Sequence, residues 1–246
     1  MARGAGTRAC RDGTPAVADL LKRTSLLETH FPDMSETRRR LPHIYPEGKW
    51  LFATWHLHGS LPHDRYPPPG LRAGEAFVWM DRYLDTTRTG PLYLRREDIA
   101  RIVATSLRPG VELGHYDLRA WVVMANHVHA LLLPKVPAAR LLGALKGCTA
   151  REANQVLGRT GQPFWQAESY DHWVRDEREF EKIVAYIENN PVKAGLVARA
   201  EDYSWSSAAS PSAAKPVARD GKSPVAAGTS AYATPTSREP IHIPHA

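Results

Sequence analysis

Two apolar runs, Tyr116–Met124 and His127–Leu133, are separated only by Ala125-Asn126. Strand-forming runs joined by so short a link make a β-hairpin. A hairpin with this much apolar surface needs a sheet and covering elements to bury it. The rest of the chain supplies them. Trp50–His58 reads as a strand bounded by Gly59, and Phe77–Leu84 is ambiguous between a strand and a short helix. Glu97–Leu107 carries Ile99, Ile102, Val103 and Leu107 at helical spacing, with Pro109-Gly110 as its stop. Ala138–Leu157 is a helix containing Gly143 and Gly147, and Phe164–Val174 is an aromatic-rich connection or strand. Glu177–Asn189 is a strongly patterned helix closed by Pro191, with Asp176 and Glu179 as its N-terminal capping pair. The order of elements predicts an α+β domain, an antiparallel sheet with helices packed on it.

That domain spans residues 49–208. Residues 1–48 have no sustained period beyond a short helix around Val17–Glu28, and Met34 competes with Met1 as the start. Residues 209–246 are mostly Ala, Ser, Pro, Thr and Gly, too poor in large apolar side chains to offset their ordering entropy. Residues 1–48 are expected to be mostly disordered and 209–246 disordered, and residues 1–33 and 209–246 dispensable for folding. No apolar run reaches the length of a membrane span, and the N-terminus lacks the apolar core of a secretory signal. Cys10 and Cys148 form no C-x-x-C pair, which argues against a disulfide scaffold and a zinc finger and for a cytoplasmic protein. The formal charge of +6 and pI near 9.4 suit a polyanionic partner.

Several groups are chemical candidates. His127 and His129, two apart on a strand, point to one face and make a pair of imidazoles fit for a divalent metal. They can equally be ordinary sheet histidines. His56 and His58 have the same spacing, and spacing alone does not choose between the pairs. On the last helix Phe180, Ile183, Val184 and Ile187 form the buried stripe. Tyr186 lies on its flank with Asn190 one turn further on; the plain alternative is a boundary tyrosine and a helix-ending amide. Residues 161–176 mix aromatics, among them Trp165, with Gln, His and Arg, a pattern that suits stacking on unpaired bases or packing in a core. Tyr170, in that segment, competes with Tyr186 as a nucleophile.

The chain resembles the REP-associated tyrosine transposases, relatives of the single-tyrosine transposases of the HUH superfamily. The resemblance rests on TWHLHGSLP at 54–62, LRAWVVMANHVHALLLP at 118–134, LKGCTAREAN at 145–154 and GQPFWQAESYDHWVRDEREFEKIVAYIENNPVKAGLVARAEDYSWSSA at 161–208, in that order. It implies a ferredoxin-like α+β domain. It implies His127 and His129 as metal ligands, Tyr186 as nucleophile and Asn190 as third ligand, in preference to His56, His58 and Tyr170. Ala125 departs from the usual proline, in a turn that touches no metal. The implied cofactor is Mg²⁺ or Mn²⁺. The implied partner is single-stranded DNA beside palindromic hairpins, cut and rejoined by a monomer or homodimer through a 5′-phosphotyrosine. Lys146, Arg151, Trp165, Arg175, Lys182 and Lys193 are the candidate DNA contacts, and Glu188 and His172 the candidate bases. The competing functions are a domesticated protein that binds palindromes without cutting, and a metal-dependent nuclease that uses water.

Overall fold

Along β1 (Leu51–His56) every side chain is buried, and alternate ones enter opposite sides of the sheet. The computed structural model describes residues 48–62, 67, 70, 71 and 73–210; the expectations for Val17–Glu28 and for both ends of the chain beyond these limits lie outside the described residues. β1 joins β2 (Tyr116–Val123), β3 (His127–Pro134) and β4 (Tyr170–Trp173) in the order β2-β3-β1-β4, with every neighbour antiparallel. β3 thus lies between β1 and β2, and β1 between β3 and β4, which is the ferredoxin-like arrangement. The hairpin read from the sequence is β2–β3. A register shift between Leu118 and Ala120 inserts one extra residue in β2.

The helices are α1 (Ala73–Thr86), α2 (Glu97–Ser106), α3 (Arg108–Glu112), α4 (Ala138–Val156) and α5 (Glu177–Lys193). Leu51, Ala53 and Trp55 of β1 and Val128, Ala130 and Leu132 of β3 pack with Ile99, Val103, Leu141 and Leu145 of α2 and α4. On the opposite side, Phe52, Val122 and Leu131 pack with Phe77 of α1 and Ile183, Val184 and Ile187 of α5. Strand alternation puts His127 and His129 on this second side, under α1 and α5.

Three elements differ from the sequence reading. The ambiguous segment at Phe77–Leu84 is helical, part of α1. Pro109-Gly110 does end one helix, but Pro109 then sits in the first turn of α3, where its missing N–H costs nothing. Pro191 does not close α5; it lies in the last turn, and the helix runs on to Lys193. Among the described residues no helix is long and apolar enough to cross a membrane.

Gly110 is buried against Tyr116, which is itself fully buried and donates its hydroxyl to Leu107 O at 2.6 Å. A Cβ on Gly110 would lie 2.1 Å from Cε1 of the Tyr116 ring. Helix propensity alone favours alanine there by ~1 kcal/mol. The clash dominates, because the ring is held at both ends. Gly110→Ala is expected to lower stability by ~1–3 kcal/mol in urea denaturation.

β4 is joined to α5 through one carboxylate. Asp176 caps α5 by accepting from Glu179 N at 2.8 Å. Glu179 is 5% exposed and accepts from Arg175 N at 2.8 Å, Arg175 Nη2 at 2.9 Å and His172 Nε2 at 3.0 Å. Burial pushes the Glu179 carboxyl up, but the bonds from Arg175 and His172 outweigh it and hold it at about 2. A depressed carboxyl contributes stability above its ordinary value of 4.5, and that stability is lost as pH falls toward about 2. Glu179→Gln is therefore expected to cost ~1–3 kcal/mol at pH 7. The gap from the wild type should close as both are titrated from pH 4.5 to pH 2. The Trp121–Val123 end of the β2 edge is also covered: Val123 N donates to Trp205 O at 2.8 Å and Ser207 N to Trp121 O at 2.9 Å.

Candidate active site under helices α1 and α5

The two β3 histidines are held from behind and open toward each other. Asn126 Nδ2 donates to Leu84 O at 3.1 Å, which fixes its amide and turns Oδ1 toward His127 Nδ1 at 2.7 Å. That oxygen only accepts, so Nδ1 of His127 carries the proton and Nε2 keeps a free lone pair. Thr54, opposite His129 in the β1–β3 register, contacts its Nδ1 at 2.7 Å. Phe52 stacks on the His129 ring with centroids 5.6 Å apart. The two Nε2 atoms end 3.1 Å apart, and both residues are completely buried. Burial, with the neighbouring His129, holds His127 well below its ordinary value, so its imidazole stays neutral. Nδ1 bonded behind and Nε2 bare in front is the disposition of a metal-binding histidine.

Helix α1 adds what the sequence reading missed. Asp81 Oδ1 is 3.1 Å from His129 Nε2 and 3.9 Å from His127 Nε2. These three ligand atoms lie within 4.8 Å of one another, a group able to hold a metal ion. One turn on, Asp85 Oδ1 is 3.6 Å from His127 Nε2. Asp81 is 2% exposed and the Asp85 side chain 5%. Burial raises both carboxyls. For Asp81 the histidines and Lys193 reverse the direction, and it lies below its ordinary value. Asp85 is pushed up to about 8 by burial and by the charge of Asp81, with Lys193 pulling partly back.

From α5, Tyr186 donates its hydroxyl to Asp81 Oδ2. Its ring lies edge-on to His129, with centroids 5.6 Å apart. Asn190 is fully buried, its Nδ2 3.3 Å from His129 Nε2 and its Oδ1 without a hydrogen-bond partner. Asp81 Oδ1 and both oxygens of Asp85 likewise accept no hydrogen bond. Buried acceptors crowded around two imidazole nitrogens are costly unless a cation joins them. The nitrogen and oxygen donors suit a divalent first-row metal or Mg²⁺.

The structure thus brings His127, His129, Tyr186 and Asn190 together. Of the candidate DNA contacts only Lys193 reaches this cluster, with Nζ 3.5 Å from Asp85 Oδ2 and 5.0 Å from the Tyr186 ring centre. Lys146 and Arg151 are on α4, against the opposite side of the sheet, and Lys146 donates to Ala167 O at 2.8 Å. Lys182 is exposed on α5, and Arg175 is paired with Glu179. Trp165 is a core residue, 8% exposed, packed on Trp55 and Phe164 and donating Nε1 to Thr149 at 2.9 Å, which leaves no ring face for a base. Its aromatic-rich segment reads the same for packing as for stacking.

The rival groups are engaged elsewhere. His56 lies opposite His127, but its Nδ1 is held by Ser60 Oγ at 2.9 Å, and burial brings it down to about 4. His58 is exposed. Tyr170 is stacked on Phe77 with centroids 4.3 Å apart, and burial pushes its hydroxyl up to about 12. His172 is bonded to Glu179, and Glu188 faces Arg119 at 3.5 Å.

Residues 76–190 match the family model described as "Transposase IS200 like". That span contains Asp81, both histidines, Tyr186 and Asn190. Among solved structures, the chain is similar to a REP-associated tyrosine transposase bound to a REP hairpin, at 20% identity and TM-score 0.44, over 68% of this chain and 80% of that one. It is also similar to a candidate transposase from Deinococcus radiodurans R1, at 18% identity and TM-score 0.34, over 61% of this chain and 96% of that one. No curated protein matches it. The matched span holds Asp81, His127, His129, Tyr186 and Asn190, and over it the chain is similar to the IS200-like transposases.

Proposed function

We propose that this protein is a transposase that cuts and rejoins single-stranded DNA beside palindromic hairpins, through a 5′-phosphotyrosine on Tyr186. The observation that carries the reading is the convergence of a tyrosine hydroxyl, two imidazole Nε2 atoms and a carboxylate in one buried cluster. The REP-associated motifs quoted above support the hairpin partner.

Asp81 supports two tasks with its two oxygens. Oδ2 accepts from the Tyr186 hydroxyl and aligns it, while Oδ1 faces His129. A free phenol ionises only near pH ~10, so an acceptor in hydrogen-bond reach matters. Held by His127, His129 and Asp81, with Asn190 beside them, Mg²⁺ or Mn²⁺ would polarise the scissile phosphate and offset its developing charge. The Tyr186 oxygen forms a bond to phosphorus as the bond to the 3′-oxygen breaks, which leaves a 3′-hydroxyl and a phosphotyrosine. The new ester keeps the energy of the old one, so a second 3′-hydroxyl can reverse the step without a nucleotide cofactor. Phe52 and Phe77 close the inner wall and keep water from competing with the phenol.

The test is a hairpin-flanked oligonucleotide labelled on the 3′ side of the cut and incubated with Mg²⁺ or Mn²⁺. A labelled band at the protein's position on a denaturing gel is the expected result. Cleavage with no adduct would assign the attack to water, and binding without cleavage would make the protein a palindrome-binding factor.

A further inference from the structure

Helix α1 presents Asp81 and Asp85 one turn apart, both buried, and the positive group facing the pair is the ammonium of Lys193. Lys193 Nζ is 3.5 Å from Asp85 Oδ2 and 3.9 Å from Asp81 Oδ2. At 3.5 Å the Lys193–Asp85 contact is long for a charged hydrogen bond, so the ammonium is held loosely. The Lys193 side chain is 43% exposed, on a flexible stem in the last turn of α5, and its ammonium lies over the nucleophile's ring. The opposite oxygens of the same carboxylates, Asp81 Oδ1 and Asp85 Oδ1, face the histidine nitrogens.

We propose that Lys193 and the divalent cation compete for the Asp81–Asp85 pair, so that metal loading releases Lys193 from the carboxylates toward the DNA phosphate. The inference rests on the metal reading above. Asp81 and Asp85 present one oxygen each to the histidine side and one each to Lys193. A divalent ion on the histidine side draws charge from both carboxylates and repels the ammonium directly. Lysine suits the exchange, being a point charge on a long stem with one end near solvent. An ammonium freed beside Tyr186 is placed where a scissile phosphate must come. Asp85 becomes a positioning residue, acting on the metal and on Lys193 without touching DNA.

The competition predicts a sign that a simple DNA contact does not. Mn²⁺ binding to the full chain without DNA is measured by loss of the free-ion paramagnetic resonance signal. Lys193→Gln is expected to tighten Mn²⁺ by about fivefold to tenfold, within the range of ordinary coupling between sites. Lys193→Arg should stay near wild type, and Asp85→Asn should weaken Mn²⁺ by about 10–100-fold, as loss of an outer partner does. Reciprocity requires that Mn²⁺ also expose Lys193. Its acylation by an amine-reactive label, read by mass spectrometry, should rise on adding the ion. Unchanged or weaker Mn²⁺ binding in Lys193→Gln, or labelling that does not rise, overturns the competition. His129→Ala separates the two levels. If it abolishes Mn²⁺ binding while Lys193→Gln changes nothing, only the competition fails. If it binds Mn²⁺ as the wild type does, the metal reading fails and takes this inference with it.

Discussion

Tyr186→Phe should eliminate the covalent protein–DNA adduct and reduce cleavage by about 10⁴-fold or more, the scale of removing a covalent nucleophile. The substitution removes one oxygen. The ring contacts to Phe52, Phe77 and His129 remain, so packing should persist. Asp81 Oδ2 then loses its hydroxyl donor and keeps the Lys193 ammonium 3.9 Å away. Hairpin binding should be unchanged, because phosphate contacts come from other residues. Tyr170→Phe is the control: its ring is stacked away from the cluster on Phe77, and the adduct should still form. A Tyr186→Phe protein that cuts at the wild-type rate would make water the nucleophile and remove the central step of the proposal.

His129→Ala is expected to have the second-largest effect, abolishing metal-dependent cleavage. His129 is the hub of the cluster: its Nε2 lies within 3.3 Å of His127, Asp81 and Asn190. Its loss should exceed the ~10–100-fold penalty of an outer partner. The variant also loses the stack on Phe52, so its folding should be checked by circular dichroism beside the activity. His56→Ala is the matched control. His56 occupies the next position across the sheet, yet its Nδ1 is turned to Ser60. Metal affinity in that variant should stay nearly unchanged. The opposite outcome, an inert His129→Ala and a dead His56→Ala, would move the site to β1.

What could be read from the sequence divides along physical lines. The hairpin and α5 were legible because their apolar periods of two and 3.6 are long and uninterrupted. The histidine pair and Tyr186 were singled out by spacing, and the family motifs chose between them and their rivals. Asp81 and Asp85 were missed because the segment holding them was ambiguous between strand and helix. Read as a helix, Phe77, Asp81, Leu84 and Asp85 fall at i, i+4, i+7 and i+8, a buried stripe with two carboxylates in it. Two acids where a core should be were the available signal. Pro191 misled for a related reason. Proline is costly inside a helix, but in the last turn it removes only one bond, so α5 continues far enough to deliver Lys193.

The covered end of β2 bears on how copies of this protein can meet. An open edge strand is a template for another chain, in orderly dimers and in fibrous aggregates alike. Here Trp205 and Ser207 already bond the backbone of Trp121 and Val123, and the Tyr203 hydroxyl bonds Val123 O at 2.9 Å. Sheet-to-sheet zippering is therefore blocked at the Trp121–Val123 end of β2 by the chain's own continuation. The other border is β4, only four residues long, with Trp173 37% exposed on it. A continuous sheet built through β4 would lie beside the start of the helix that carries the tyrosine.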